Sequence, residues 1–148
     1  DRVDVAIRCQ ADGIHVGQDD MQADDVRKRI GSQMILGVSA QTLEQARTAE
    51  QNGADYLGVG AVFPTTTKTD AQAVSLDTLR QICAAVSIPV CAIGGISAAN
   101  LPRLAGTGID GVAVVSAIFA SPDIEASCRT LARLSQQTSA KNNFGGRP

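Results

Sequence analysis

The sequence predicts an α/β chain in which short buried strands alternate with helices to build a parallel sheet. Three observations lead there. One seven-residue pattern occurs three times, as Ala11-Asp12-Gly13-Ile14-His15-Val16-Gly17, Ala54-Asp55-Tyr56-Leu57-Gly58-Val59-Gly60 and Ile109-Asp110-Gly111-Val112-Ala113-Val114-Val115. Two further apolar runs, Met34-Ile35-Leu36-Gly37-Val38 and Pro89-Val90-Cys91-Ala92-Ile93, lie between the copies. The segments that separate these five runs carry helical periodicity, and strict alternation of this kind is the pattern of a parallel sheet with helical crossovers.

Each copy of the repeat reads as a helix exit followed by a strand, and the two intervening runs have the length and β-branched content of buried strands. Five strands follow. After the second, Thr42-Leu43-Glu44-Gln45 is a capping box, in which the Thr42 hydroxyl and the Gln45 amide satisfy amide groups that a helix start leaves open. Gly53 supplies the left-handed exit from that helix. From Ser75 to Val86, the residues Leu76, Leu79, Ile82, Cys83 and Val86 recur at three- and four-residue steps, which marks an amphipathic helix lying on the sheet. Ser121 is expected to cap a last helix with Pro122 in its first position and Ile124, Cys128 and Leu131 on one face. The polar end from Gln136 to Pro148 is expected to be a disordered tail, leaving one domain over residues 1–135.

The composition narrows the function. Net charge is −2 and no basic run exceeds Arg27-Lys28-Arg29, so the electrostatic footprint of a nucleic-acid binder is missing. Four cysteines and one histidine offer neither a C-x-x-C pair nor zinc-ligand spacing, and the expectation is buried reduced thiols. With no signal peptide visible and no apolar run near the ~20 residues of a membrane span, a cytoplasmic protein without a membrane partner is expected.

Two architectures can hold five parallel strands. A doubly wound sheet calls for a glycine-rich dinucleotide or P-loop turn, and neither G-x-G-x-x-G after the first strand nor G-x-x-x-x-G-K-[ST] is present. A (β/α)8 barrel calls for polar or small residues just past the carboxyl end of each strand. Those are found: Gln18-Asp19-Asp20, then Ser39, then the loop from Pro64 to Asp70, then Gly94-Gly95, then Ser116. The fold class is therefore α/β of the TIM (β/α)8 barrel family, represented by about five strands.

The strand ends also suggest a chemistry. Thr65-Thr66-Thr67-Lys68 combines hydroxyl donors with an ammonium, and Gly94-Gly95 followed by Ser97 places bare amides near a helix start, a combination suited to phosphate. A tight turn would account for Gly94-Gly95 alone. Asp20 offers hard oxygen for Mg²⁺, although an aspartate in the first turn of a helix would look the same. Asp12, Asp55 and Asp110 lie at strand entrances and read as turn-formers, and His15 reads as a core or barrel-filling residue.

The ordered strand ends resemble the thiamine phosphate synthase family from Asp1 to about Leu134. Ala11 to Asp20, Gly37-Val38-Ser39, Gly58-Val59-Gly60-Ala61-Val62-Phe63-Pro64-Thr65-Thr66-Thr67-Lys68, Ala92-Ile93-Gly94-Gly95-Ile96 and Val114-Val115-Ser116-Ala117-Ile118 carry the likeness. It implies a transferase that joins a pyrimidine pyrophosphate to a thiazole phosphate with Mg²⁺. Residue by residue, it implies Mg²⁺ ligands at Asp1 and Asp20, pyrimidine pyrophosphate contacts and catalytic roles at Ser39 and Lys68, and a thiazole phosphate site at Thr65, Thr66, Thr67, Gly95, Val115 and Ser116. It also implies three strands before Asp1, with a Gln-x-Arg-x-Lys segment for pyrophosphate, so a complementary chain supplying them is an expected partner. A thiazole tautomerase-like relative and an inactive phosphate-binding fragment are the alternatives. Against the first stand the intact Thr65 to Lys68 run and Gln41 after Ser39-Ala40.

Overall fold

The structure, a computed structural model, describes residues 2–65 and 73–139. Asp1, Thr66, Thr67, Lys68 and the segment 140–148 lie outside them. Five strands, β1 (Gly13–Val16), β2 (Ile35–Ala40), β3 (Tyr56–Val59), β4 (Val90–Ile93) and β5 (Gly111–Ala113), form one sheet in the order β1-β2-β3-β4-β5. All four pairings are parallel. A doubly wound sheet reverses its order at a switch point, whereas unbroken sequential order is the arrangement of a barrel wall.

The helices are α1 (Val3–Arg8), α2 (Ala23–Ile30), α3 (Leu43–Gln51), α4 (Leu76–Ala85), the short α5 (Ser116–Phe119) and α6 (Ile124–Thr138), with a 3₁₀ turn at Leu101–Leu104 between β4 and β5. Strand side chains alternate between two faces. One face puts Val16, Leu36, Val38, Leu57, Val59, Val90 and Ala92 into a core with Val26, Ala46, Leu79, Ile82, Leu101 and Leu104 from the helical layer. The other presents His15, Ile35, Ser39, Tyr56, Cys91 and Ile93. This second face is open: Ile35 is 51% exposed and Ile93 41%.

The helix boundaries follow local chemistry. Thr42 and Gln45 make the reciprocal capping box, each accepting the other's backbone N–H at 3.2 Å, and Gly53 takes φ 84°. Ser75 caps α4 by accepting the Thr78 N–H, and the α4 stripe buries Leu79 and Ile82 completely. At α6 the cap differs from expectation. Asp123, not Ser121, accepts the Ala126 N–H at 2.9 Å, while Ser121 Oγ accepts the Asp123 N–H and Pro122 sits in the preceding turn. A carboxylate two residues on is the stronger acceptor for an amide, and it moves the start to Ile124, which is 48% exposed rather than part of a buried stripe. The helix then continues through Gln136 and Gln137 to Thr138.

The strand-entrance aspartates do more than form turns. Asp55 Oδ2 accepts the Leu36 N–H at 2.7 Å, and Asp110 Oδ2 accepts the Val90 N–H at 2.9 Å. Each thus fixes the beginning of its own strand against the strand before it. Arg27 reinforces the first of these junctions, donating to the carbonyls of Gly31, Met34 and Gly53 and to Asp55 Oδ2. The four cysteines are free, but Cys9 is exposed and Cys83, Cys91 and Cys128 are only half-buried, so the expectation of buried thiols does not hold. Cys9 is the C-cap of α1, a helix that buries only Val3.

Candidate active site

Parallel strands deliver their carboxyl ends to one side of the sheet, and there the loops after β1, β3 and β4 meet the end of β2 and the start of α5. Ser39 is not beyond β2 but inside it, one residue before its end, and the period-two alternation turns its side chain onto the open face. Its Oγ lies 2.9 Å from His15 Nε2, and His15 Nδ1 lies 2.9 Å from the Tyr56 hydroxyl. The three side chains therefore cross β1, β2 and β3 in a hydrogen-bonded row.

Gly37 makes the row possible. It pairs with His15 on one side and Tyr56 on the other, and a methyl group on its Cα would fall onto both the phenol ring and the imidazole. Burial of the imidazole lowers the His15 pKa, with the Asp20 carboxylate pulling the opposite way, and burial raises that of Tyr56. At neutral pH both are uncharged.

Two clefts adjoin at the mouth and share Thr65 and Ser116. The first, a cavity of about 190 Å³ open to solvent, runs from Ser39 past Gly58, Ile93, Ala113 and Val115, a mostly apolar lining. The second, about 400 Å³, is framed by Pro64, Gly95, Ser97 and Ser116. Gly94 and Gly95 take φ 98° and 63°, and a side chain on Gly95 would meet the Pro64 carbonyl, so the backbone itself forms the wall here.

The turn after β4 is stapled by Asn100, whose Oδ1 accepts the Ser97 N–H at 2.8 Å and whose Nδ2 donates to the Gly95 carbonyl at 2.9 Å. This corrects the expectation of a bare Ser97 amide at a helix start: that amide is occupied, and the element that follows is the 3₁₀ turn. The described part of the loop after β3 is equally fixed. The Val62 and Phe63 amides donate to the Ile93 and Gly94 carbonyls, and Arg103 stacks 5.2 Å above the Phe63 ring.

Of the expected site residues, Ser39, Thr65, Gly95, Val115 and Ser116 gather around the two clefts. Asp20 stands apart from both. Its Oδ2 accepts the Gly17 N–H at 2.7 Å at the end of β1, and Gln18 bridges from the same loop to the Ser39 carbonyl at 2.6 Å. Asp1, Thr66, Thr67 and Lys68 fall outside the described residues. Among the described residues no three His, Cys, Asp or Glu side chains cluster as a metal centre, and no helix is long and apolar enough to cross a membrane. Tyr56 and Asn100 are additional to the expected residues, whereas Gln18 belongs to the polar stretch expected past β1. Alternation puts Tyr56 and His15 on one face, and the register His15–Gly37–Tyr56 brings them together, while the Ser97-x-x-Asn100 spacing is that of a side-chain-closed turn.

A sequentially wound parallel sheet with clefts at its carboxyl ends defines an α/β chain of the TIM-barrel class. Within that class, the family model described as thiamine monophosphate synthase matches residues 1–118. The thiamine-phosphate synthase of Clostridium tetani is 53% identical over 131 residues, covering 88% of this chain and 63% of its own length. That of Ruminiclostridium cellulolyticum is 56% identical over 131 residues, covering 88% and 62%. A solved thiamine phosphate pyrophosphorylase from Pyrococcus furiosus superposes with a TM-score of 0.84 at 42% identity, over 93% of this chain and 66% of that one. The chain belongs to the thiamine monophosphate synthase family. It spans about 63% of the length of the curated relatives it matches.

Proposed function

We propose that the chain is the carboxyl-terminal portion of a thiamine phosphate synthase, a transferase that condenses a pyrimidine pyrophosphate with a thiazole phosphate to give thiamine phosphate and pyrophosphate. The pair of adjoining clefts sharing Thr65 and Ser116 is the observation that supports it most. An apolar cleft suits an aromatic ring, and a glycine-walled neighbour suits the phosphate tethered to that ring. In this reading Thr65, Thr66, Thr67, Gly95, Val115 and Ser116 hold the thiazole phosphate, and Ser39 and Lys68 hold the pyrimidine pyrophosphate.

The reaction is a substitution in which the pyrimidine methylene loses pyrophosphate and its cation is captured by the thiazole nitrogen. No general base is needed to activate a nucleophile; the demand is for positive charge where the leaving oxygens become negative. Lys68 would meet it. The donor set also fits Mg²⁺, because Asp20 presents a partly exposed carboxylate held in place by the Gly17 amide, and Mg²⁺ takes one or two carboxylates together with water and substrate phosphate. Asp20 with Asp1 would hold the ion, which supplies charge neutralisation to the departing pyrophosphate. We place the reaction in the cytoplasm, with a complementary segment supplying further strands.

The test is formation of thiamine phosphate from both substrates with Mg²⁺, with and without a protein supplying the first three strands of a relative. Product formed only with the complement is expected. No product from a restored barrel, combined with a Lys68→Ala variant that loses nothing, overturns the assignment.

A further inference from the structure

The row Tyr56–His15–Ser39 spans three strands, yet the proposed reaction uses only its last member. A neutral imidazole carries one ring hydrogen and one lone pair. Two hydrogen bonds of 2.9 Å to two hydroxyls must therefore share that single N–H. One hydroxyl gives its hydrogen to the ring, and the other receives the ring's hydrogen and keeps its own for a different acceptor. The two hydroxyls are chemically unequal. A phenol titrates near pH 10 and is a far stronger acid than an aliphatic alcohol, so it is the better donor and the poorer acceptor.

Two further features hold the arrangement in place. A side chain at Gly37 would occupy the space in which the phenol and the imidazole meet, and Gly58 lies beneath the ring, where an added Cβ would come 3.1 Å from His15 Cε1. Ser39, at the end of the row, lines the cleft next to Gly58 and Ile93.

We infer that Tyr56 and His15 are positioning residues that make Ser39 a donor: the Tyr56 hydroxyl donates to Nδ1, Nε2–H donates to Ser39 Oγ, and the Ser39 hydrogen points to an acceptor atom of the bound ligand. The ligand atom at Ser39 is then an unprotonated ring nitrogen or a phosphate oxygen and not an amino group. Naming that ligand as the pyrimidine pyrophosphate rests on the transferase reading; the arrangement of hydrogens does not.

The test uses protein labelled with [¹⁵N]histidine, the His15 signal being identified by its loss in His15→Gln. A spectrum correlating ring nitrogens with ring carbon protons is expected to show protonated Nε2 and unprotonated Nδ1. Protonated Nδ1 overturns the inference, whether or not the protein has transferase activity. Tyr56→Phe leaves the ring packing in place while removing the donor, and is expected to move the tautomer toward protonated Nδ1 and raise KM for the pyrimidine pyrophosphate about tenfold, with a smaller change in kcat. An unmoved tautomer overturns it. His15→Gln keeps an amide N–H for Ser39 and is expected to stay within about threefold of the parent KM, whereas His15→Leu loses about tenfold. Equal values for the two variants count against the inference. Titrating the aminopyrimidine alcohol and inorganic pyrophosphate separately into Ser39→Ala shows which of them carries the acceptor, and no weakening of either overturns the assignment. The KM values are measured with the complementary strands supplied, and absence of turnover in that complemented parent refutes the transferase reading alone.

Discussion

Gly37 carries more of the site than its size suggests. The hydrogen-bonded row across β1, β2 and β3 exists only because nothing projects from this residue into the space between His15 and Tyr56. Gly37→Ala is expected to push the two rings apart and cost about 1–3 kcal/mol, the usual penalty of overpacking a tight site, read as a lower urea midpoint with an unchanged slope. The imidazole also makes stability depend on pH. Burial holds its folded pKa below the value of about 6.5 that the unfolded chain shows. The unfolded state therefore binds the proton more readily, so this contribution is complete above pH ~6.5 and is lost as pH falls through the folded-state value. Comparing urea midpoints at about pH 7.5 and about pH 5.5, the parent is expected to lose more stability than His15→Gln. The motif around Gly37-Val38-Ser39 was legible as a strand end, but the role of its glycine was not. That role depends on which residues flank it on neighbouring strands, and register is a property of pairing that a single segment does not contain.

At the scale of elements, the repeated Ala-Asp and Ile-Asp patterns turn out to encode strand junctions. Asp55 and Asp110 each accept an amide from the strand before their own, Leu36 of β2 and Val90 of β4. Asp110→Asn keeps the shape of the side chain but replaces a charge-assisted hydrogen bond with a neutral one; a loss of about 1 kcal/mol is expected, with faster hydrogen exchange at the Val90 amide than at Leu57. Helix boundaries with a local cause were readable in advance, as at Thr42, Gly53 and Ser75, because a cap and its amide lie within three residues of each other. The α6 start differs because Ser121 and Asp123 are both acceptable caps, and the stronger carboxylate acceptor at Asp123 takes the Ala126 amide. The staple formed by Asn100 is hidden for a related reason: Gly94-Gly95 and Ser97 read as open amides, while the side chain that occupies one of them follows three residues later.

Across the whole molecule, the helical layer buries one face of the sheet and leaves the other open. Alternating, nearly all-apolar strands made the barrel class legible, and the five strand ends named most of the residues that now frame the two clefts. The openness of the second face was not visible in that pattern, for a strand reads equally apolar whether or not anything covers it. With Ile35 and Ile93 about half exposed, the chain on its own is expected to bind a fluorescent apolar dye such as ANS. Addition of the complementary strands is expected to abolish most of that signal, and an undiminished signal in a complex that is active would show that the face stays open. The aspartate junctions give this openness a direction. β3 hooks β2 and β5 hooks β4, and in each of these two-strand units the later strand supplies the latch and the earlier one the amide. Asp12 stands at the same place on β1, exposed at the sheet edge. By this rule β1 is the latch-bearing half of a unit, and a strand seeking the sheet has an address at Asp12 that the β5 edge does not offer.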